Sequence, residues 1–418
     1  MHYKQLFILL PLATAYSWKS RQSIFEASKY APLFEAENAE VVPNKYIVVL
    51  ETKANENATV LYNHLEKVNF QVVLTNNYNK HSTNNVDAVF KHSILGYSGN
   101  FDEKLLKYIR LSPEVKYVER ETLIRVDNVQ QNAGWGLARI SQKNRLGSSP
   151  YSYYYDSSSG AGVTAYILDT GINVNNVEFE GRARVAYVAI DGDVPQDLNG
   201  HGTHVAGTVG GINFGVAKKV SLVGIKVIGS NGVGSSTNII KGIDFMINDH
   251  MQRSAGGNDA LSVANLSVGS SYVQSLNDAV DAAVSKNIHF GVSAGNNNRD
   301  ACGYSPASAQ YAVAVGSIGI SDNKSSFSNY GKCVSIFGPG ENILSAGKNS
   351  NTDTATLSGT SMAAPHITGL MAYFLGIAGS PMSFFQMKST LVFYATTGAI
   401  SGLDPASPNL IAYNQARN

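Results

Sequence analysis

The chain has 418 residues, 44% of them hydrophobic and only 15% charged, with a formal net charge of +1. That length allows two or three domains with a sizeable core. The near-neutral balance, without a basic run, leaves no electrostatic footprint for a nucleic-acid or acidic-membrane partner, so neither is expected.

Met1 to Gln5 is a basic start, Leu6 to Ala13 an apolar stretch, and Ala13-Thr14-Ala15 a small-x-small site. Together they read as a signal peptide over residues 1–15, the other reading being a buried N-terminal helix. No later apolar run is expected to approach the ~18 residues of a membrane span. The product is therefore expected in the secretory pathway. The only cysteines are Cys302 and Cys333. In an oxidising compartment an even count favours one bridge, and two buried free thiols are the other reading. Sequons stand at Asn57, Asn265 and Asn323, the second in an apolar, strand-like setting that should bar glycosylation.

Residues 16–44 are polar and read as a loose spacer. Tyr46–Leu50 reads as a buried strand. From Asn57 to Val68, helical spacing puts Val60, Leu61, His64, Leu65 and Val68 on one face. Leu74–Asn85 is Asn-rich and reads as loop. Phe101–Leu111 is a second amphipathic helix ended by Ser112-Pro113, and Val115–Val118 alternates as a strand. Strand, helix, loop, helix and strand make a small α+β unit over residues 45–126. Arg125–Gly134 is polar and reads as an unstructured, protease-accessible linker. The Tyr-rich Tyr151–Tyr155 reads as a surface loop with a few rings packed down, the other reading being an aromatic binding patch.

Residues 127–418 have a different texture. Val163–Leu168, Leu222–Val227, Ser262–Leu266, Ile288–Val292 and Ala312–Val315 are short apolar or β-branched runs. Helical segments such as Asn238–His250 and Leu276–Val284 fall between them. Buried strands alternating with helices predict a doubly wound parallel α/β sheet, with function at the carboxyl ends of the strands.

Four segments carry chemistry. Asp169 directly follows the first of these strands, in Ile-Leu-Asp-Thr-Gly. His201 opens His-Gly-Thr-His-Val-Ala-Gly, and Ser361 lies in Gly-Thr-Ser-Met-Ala-Ala-Pro-His before the apolar Ile367–Phe374. Acyl transfer needs a nucleophile, a base to take its proton and an acid to orient the base, which serine, histidine and aspartate supply. At a helix N-terminus, Ser361 would have backbone N–H groups to help hold an oxyanion. Asn296, ending Val-Ser-Ala-Gly-Asn, adds a side-chain amide donor. Each piece alone is weak. Asp-Thr-Gly is half of an aspartic-protease signature, but no second copy occurs to complete a dyad. His201 and His204 could be two metal ligands, but no third ligand has matching spacing. The segment around Ser361 resembles a nucleophile elbow, whose hydrolases order their triad Ser, Asp, His; here the order is Asp, His, Ser.

In combination, Gly200-His201-Gly202-Thr203-His204 and Gly359-Thr360-Ser361-Met362 resemble the subtilases of the proteinase K subfamily, with the texture of fungal vacuolar enzymes of the cerevisin type. The match starts near Trp135–Ile140 and runs almost to the C-terminus. The resemblance implies Asp169, His201 and Ser361 as triad and Asn296 as oxyanion donor. It places Leu266, Ser267, Val268 and Gly269 on one wall of the specificity pocket and Ser293, Ala294 and Gly295 on the other. Gly232, Val233 and Gly234 would pair with extended substrate backbone. Residues 45–126 resemble the family's inhibitory propeptide, so the enzyme's own propeptide and peptide or protein substrates are the implied partners, around a monomer. The matching cysteine positions are bridged in some bacterial relatives, which supports a Cys302–Cys333 disulfide. Two positions depart from the pattern. Val205 stands where many fungal relatives have cysteine. Ser335 replaces a calcium-ligating aspartate, a poor exchange around Ca²⁺. Catalysis is expected to need no cofactor, and no metal ligands are assigned.

The sequence thus reads as a broad-specificity serine endopeptidase, an autoprocessed zymogen of the vacuole or extracellular space. A catalytically silent relative, acting in binding or wall assembly, would have lost a triad or oxyanion residue, and none is missing. A non-peptide serine hydrolase is disfavoured by the triad order.

Overall fold

Short β-branched runs need two covered faces, and the computed structural model supplies them. It describes residues 29–35, 41–51, 57–78, 83–122, 127–255 and 259–416, so the signal peptide read over 1–15 lies outside the described residues. The chain divides into two compact units, Met1–Arg125 and Val126–Asn418.

In the first unit, strands Leu33–Phe34, Val41–Leu50, Asn85–Phe90, Gly96–Asn100 and Val115–Thr122 form one sheet with helices Asn57–Tyr78 and Glu103–Arg110. Setting aside the short first strand, the order is strand, helix, two strands, helix, strand, a ferredoxin-like unit. The helical spacing does its expected work: Leu61, His64, Leu65 and Val68 are all buried. They share a core with Leu105, Leu106 and Ile109 of the second helix and Val48, Leu50 and Val118 of the sheet. Asp102 starts that second helix, its carboxylate accepting Leu105 N–H at 2.9 Å.

Several expectations for this unit are corrected. Leu33–Phe34 pairs with Val118–Glu119, and Val41 already lies in a strand, so residues 33–34 and 41–44 belong to the sheet rather than a spacer. The first helix continues through Leu74 to Tyr78 despite its asparagines. Asn85–Phe90 and Gly96–Asn100 add a hairpin that the polar, glycine-bearing sequence hid. Two glycines explain that second strand: a Cβ at Gly96 would lie 2.1 Å from Val48 O, and one at Gly99 2.3 Å from Asn85 O.

The second unit is a nine-stranded sheet. Ala183–Val188, Ser221–Lys226, Val163–Asp169, Leu261–Leu266, Ile288–Ser293, Val313–Ile318, Ile336–Pro339 and Leu410–Ile411 run parallel in that order, and Thr396–Thr397 adds an antiparallel edge. The chain starts in the interior at Val163–Asp169, moves to one side, then returns to the other through Leu261–Leu266. Ligands of open α/β sheets bind at such a reversal, and Asp169 ends the strand there. Helices Ser236–Ser254, Gln274–Val284 and Thr360–Ala378 cover the sheet. All seven residues of Val163–Asp169 are buried.

Three further readings change here. Asp127–Gln131 is a strand paired with Ser152–Asp156, so the linker is partly structured and the tyrosine segment is no loop. Tyr153 is fully buried, stacks on Tyr155 at 5.2 Å, and both rings flank the Lys218 ammonium. Thr360–Ala378 is long and apolar enough to cross a membrane by composition, contrary to the expectation that no later run is. It is mostly buried in the core of the unit. Cys302 and Cys333 are bonded, their Cα atoms 5.2 Å apart, which decides between bridge and free thiols.

Candidate active site

The Asp169 side chain is fully buried, and its Oδ1 accepts Thr170 N–H at 2.7 Å. His201 Nδ1 lies 2.8 and 2.9 Å from the two Asp169 oxygens. This close approach has a local cause. His201 is the first residue of helix His201–Gly210, entered through Gly200 at φ 103°, a conformation that favours glycine. One residue on, a Cβ at Gly202 would stand 2.2 Å from Gly171 O and 3.1 Å from Asp169 Cβ. Only glycine lets the helix approach the strand end so closely. Burial alone would lower the His201 pKa; the charge and hydrogen bond of Asp169, with the charge of Asp197, outweigh it and the net shift is upward. With Nδ1 held as donor, Nε2 is left as the basic nitrogen.

His204, one turn on, is not part of this pair. It is fully buried, with Nε2 2.9 Å from Ile343 O, and burial lowers its pKa to about 4. Its Nε2 is thus committed to the Ile343 carbonyl rather than to the Asp169–His201 pair.

Ser361 is the second residue of helix Thr360–Ala378. Four residues later stands Pro365, which has no N–H to give to the Ser361 carbonyl. Ser267 Oγ takes over, donating to Ser361 O at 2.8 Å, while Ser361 Oγ donates to Ser267 O at 3.1 Å. The hydroxyl proton therefore faces Ser267, not the imidazole.

Asn296 is placed with the same economy. Its Oδ1 accepts Thr360 N–H at 2.8 Å and Thr360 Oγ–H at 2.9 Å. The oxygen is thus occupied and the NH₂ is the end left to donate. Asn329, fully buried, supports the loop: its Oδ1 accepts from Asn297 and Arg299 N–H at 3.0 Å each, and its Nδ2 donates to Ala294 O. Asn265 is the buried sequon expected to be closed to glycosylation. Its amide donates to Ser267 Oγ and accepts from Thr368 Oγ, bracing the residue that touches Ser361.

A cleft of about 400 Å³ opens beside the Asp169–His201 pair. It is lined by His201 and Asp169, by Gly232, Val233 and Gly234, and by Ser267, Val268 and Gly269. Leu266 instead points into the core, and Ser293, Ala294 and Gly295, expected as the second wall, do not line this cleft: Ser293 and Ala294 are buried, and Ser293 Oγ donates to Val268 O at 3.1 Å. Sequence reasoning missed the apolar lining residues Ile228, Ile239 and Leu276, and the polar ones Thr170, Asn199, Ser236, Ser270 and Ser305. It also missed Thr360, Asn329 and Asp197. Ser335 offers a neutral hydroxyl and, among the described residues, no group of three His, Cys, Asp or Glu converges on a metal position. No step below uses a metal ion.

Known proteins are similar to this chain over most of its length. The subtilase family model matches residues 160–407, and the peptidase inhibitor I9 model matches residues 45–127. The chain is 40% identical over 431 residues to "Subtilisin-like serine protease Pen ch 18" of Penicillium rubens, covering 97% of this chain and 87% of that one. It is 38% identical over 435 residues to "Alkaline protease 2" of Aspergillus fumigatus, covering 97% and 88%. Among solved structures, a cold-adapted subtilisin-like serine proteinase matches at 40% identity with a TM-score of 0.62, covering 68% of this chain and 98% of that one.

Proposed function

The chain belongs to the subtilase family and is a serine endopeptidase zymogen; from that premise we propose that Asp169, His201 and Ser361 are its triad and Asn296 its oxyanion donor. The observation that carries this is the buried Asp169 carboxylate holding His201 Nδ1 at 2.8 Å. His201 Nε2 takes the Ser361 proton as Oγ attacks the substrate carbonyl, and Asp169 stabilises the imidazolium. The negative oxygen of the tetrahedral intermediate accepts from Asn296 Nδ2 and from N–H groups at the start of the Thr360–Ala378 helix. The imidazolium then protonates the leaving amine, and water repeats the sequence to free Ser361. Every proton moves between the chain's own side chains, the substrate and water, so catalysis needs no cofactor. Secretion, into a vacuole or the extracellular space, fits the leader read at residues 1–15.

Specificity follows from the walls of the cleft. Ile228, Val233, Val268, Ile239 and Leu276 are apolar, the rest of the lining is small or polar, and its one carboxylate, Asp169, is committed to His201. Large apolar or aromatic side chains should be preferred, with modest discrimination, since one methylene is worth only ~1–3 kcal/mol. Cleavage mapping of denatured casein tests both activity and preference. Cuts confined to positions after Lys or Arg would refute the apolar reading.

We further infer autoprocessing, with residues 45–126 as inhibitor. After cleavage, the new C-terminal end would act as a product paired along Gly232–Gly234. A domain this small is marginal alone and is stabilised when bound, so unbound copies are the ones digested. A 45–126 fragment added in trans should therefore inhibit at first and lose its effect as it is degraded. No inhibition at micromolar excess would reduce the segment to a spacer.

A further inference from the structure

We propose that Asp197 is a positioning residue for His201: a second buried carboxylate that ties the strand end carrying Asp169 to the helix carrying His201 and adds its charge to the imidazole's surroundings. The proposal rests on the triad reading above and deepens it.

The helix that begins at His201 has a capping problem. Its N-cap is Gly200, which has no side chain to accept the orphan N–H groups of the first turn. Asp197, three residues earlier and only 6% exposed, supplies the missing acceptor. Its Oδ2 accepts Thr203 N–H at 2.9 Å and Thr203 Oγ–H at 2.6 Å. Its Oδ1 accepts Gly200 N–H at 2.7 Å, Asn199 N–H at 3.1 Å and Thr170 Oγ–H at 2.8 Å.

The last of these bonds reaches the other half of the catalytic pair. Thr170 directly follows Asp169, and its hydroxyl oxygen in turn accepts Gly202 N–H at 2.9 Å. One carboxylate therefore fixes the residue after Asp169, the two residues before His201, and the helix's third residue. Five donors converge on it, and all are N–H or O–H groups, as an ionised carboxylate requires. A hinge between strand and helix at this point would alter the Asp169–His201 distance directly. Here that hinge is filled by a charge.

The charged and titratable groups facing His201 are few. Asp169 meets it from the strand, Asp197 from the preceding loop and His204 from the next helical turn. The Lys348 side chain lies over Gly200. Beside Asp197, Lys226 donates to Gln196 O at 2.9 Å, with its ammonium 3.5 Å from Asp193. A negative charge near the imidazole favours the imidazolium. Removing the Asp197 charge should therefore let His201 titrate at lower pH and move the acid limb of the kcat/KM profile to lower pH. An uncharged Asn also turns N–H donors toward groups that now donate, which loosens the pair. A misplacement of ~1 Å can cost up to ~10²-fold in rate.

The test uses the full-length precursor. Asp197→Asn is expected to lower kcat by up to ~10²-fold with KM little changed, and to shift the acid limb downward. Asp197→Glu keeps the charge and should return the acid limb toward its wild-type position even if kcat stays low. Should Asp197→Asn fail to mature, the same substitution in a Ser361→Ala precursor needs no self-processing, and the His201 ring can be titrated by NMR. An unchanged His201 titration there, or an unchanged kcat and acid limb in the mature enzyme, overturns the proposal and leaves Asp197 a structural cap only. Ser361→Ala by itself separates the two readings. If it retains activity, the triad reading falls and this inference with it; if it is inactive while Asp197→Asn behaves as wild type, only this inference falls.

Discussion

Ser361→Ala, expressed in a host without other proteases, should accumulate as full-length precursor and digest nothing measurable. The hydroxyl is the only atom removed, and its structural partner is one carbonyl, Ser267 O at 3.1 Å. Ser267 Oγ would still donate to Ser361 O at 2.8 Å, so the start of the helix keeps its support. The fold should survive while the acyl-enzyme becomes impossible. Removing the serine of subtilisin itself costs about 2 × 10⁶ in turnover, and a loss on that order is expected here. Processing provides a second readout from the same experiment. If the cut between Arg125 and Asn132 is made in cis, the wild-type protein should give a new N-terminus there by sequencing and the variant should not. Normal maturation of the variant would assign the cut to another protease, while casein digestion by it would end the triad reading.

The segments carrying Asp169, His201 and Ser361 were legible because their chemistry is local. Glycines around His201 and Ser361, and Asp169 at the end of a β-branched run, mark turns and strand ends wherever the chain goes. Five of the nine strands of the larger sheet were legible for a related reason: two covered faces demand uninterrupted apolar runs, as in Val163–Asp169. Ala183–Val188, Ile336–Pro339, Thr396–Thr397 and Leu410–Ile411 were not, being half-exposed or only two to four residues long. Gly96–Asn100 was not, because Gly-Tyr-Ser-Gly-Asn becomes a strand only between partners already in place. Asp127–Gln131 was hidden likewise, since its pairing with Ser152–Asp156 comes from across a loop.

The supporting residues of the site were the least legible. Asn296 and Thr360 are 64 positions apart, and Asn329 holds Asn297 from 32 positions away. No periodicity or local motif encodes a hydrogen bond between distant loops. Asp197 lies close in sequence to His201, yet Asp-Leu-Asn-Gly reads as an ordinary polar turn. Its burial, not its sequence, reveals its use.

Asn296→Ala should lower kcat by roughly 10²–10³ with little change in KM, the magnitude found for such a donor in subtilisin. The reasoning lies in which end of the amide is engaged. Oδ1 is occupied by two donors from Thr360, at 2.8 and 2.9 Å, so Nδ2 is the end presented to a developing negative charge. A neutral substrate carbonyl draws less from that donor than the oxyanion does, so the loss belongs to the transition state. Alanine also strips Thr360 N–H of its acceptor beside the nucleophile, and a control must separate the two effects. Thr360→Ala does so: it removes one of the two bonds fixing Oδ1 but leaves the Asn296 donor in place. Its loss in kcat should be clearly smaller than that of Asn296→Ala, and it too should spare KM. If Thr360→Ala matched Asn296→Ala, the effect would come from the disturbed helix start rather than the missing donor. If Asn296→Ala acted mainly on KM, its amide would be a contact to bound substrate and the oxyanion would depend on backbone N–H groups alone.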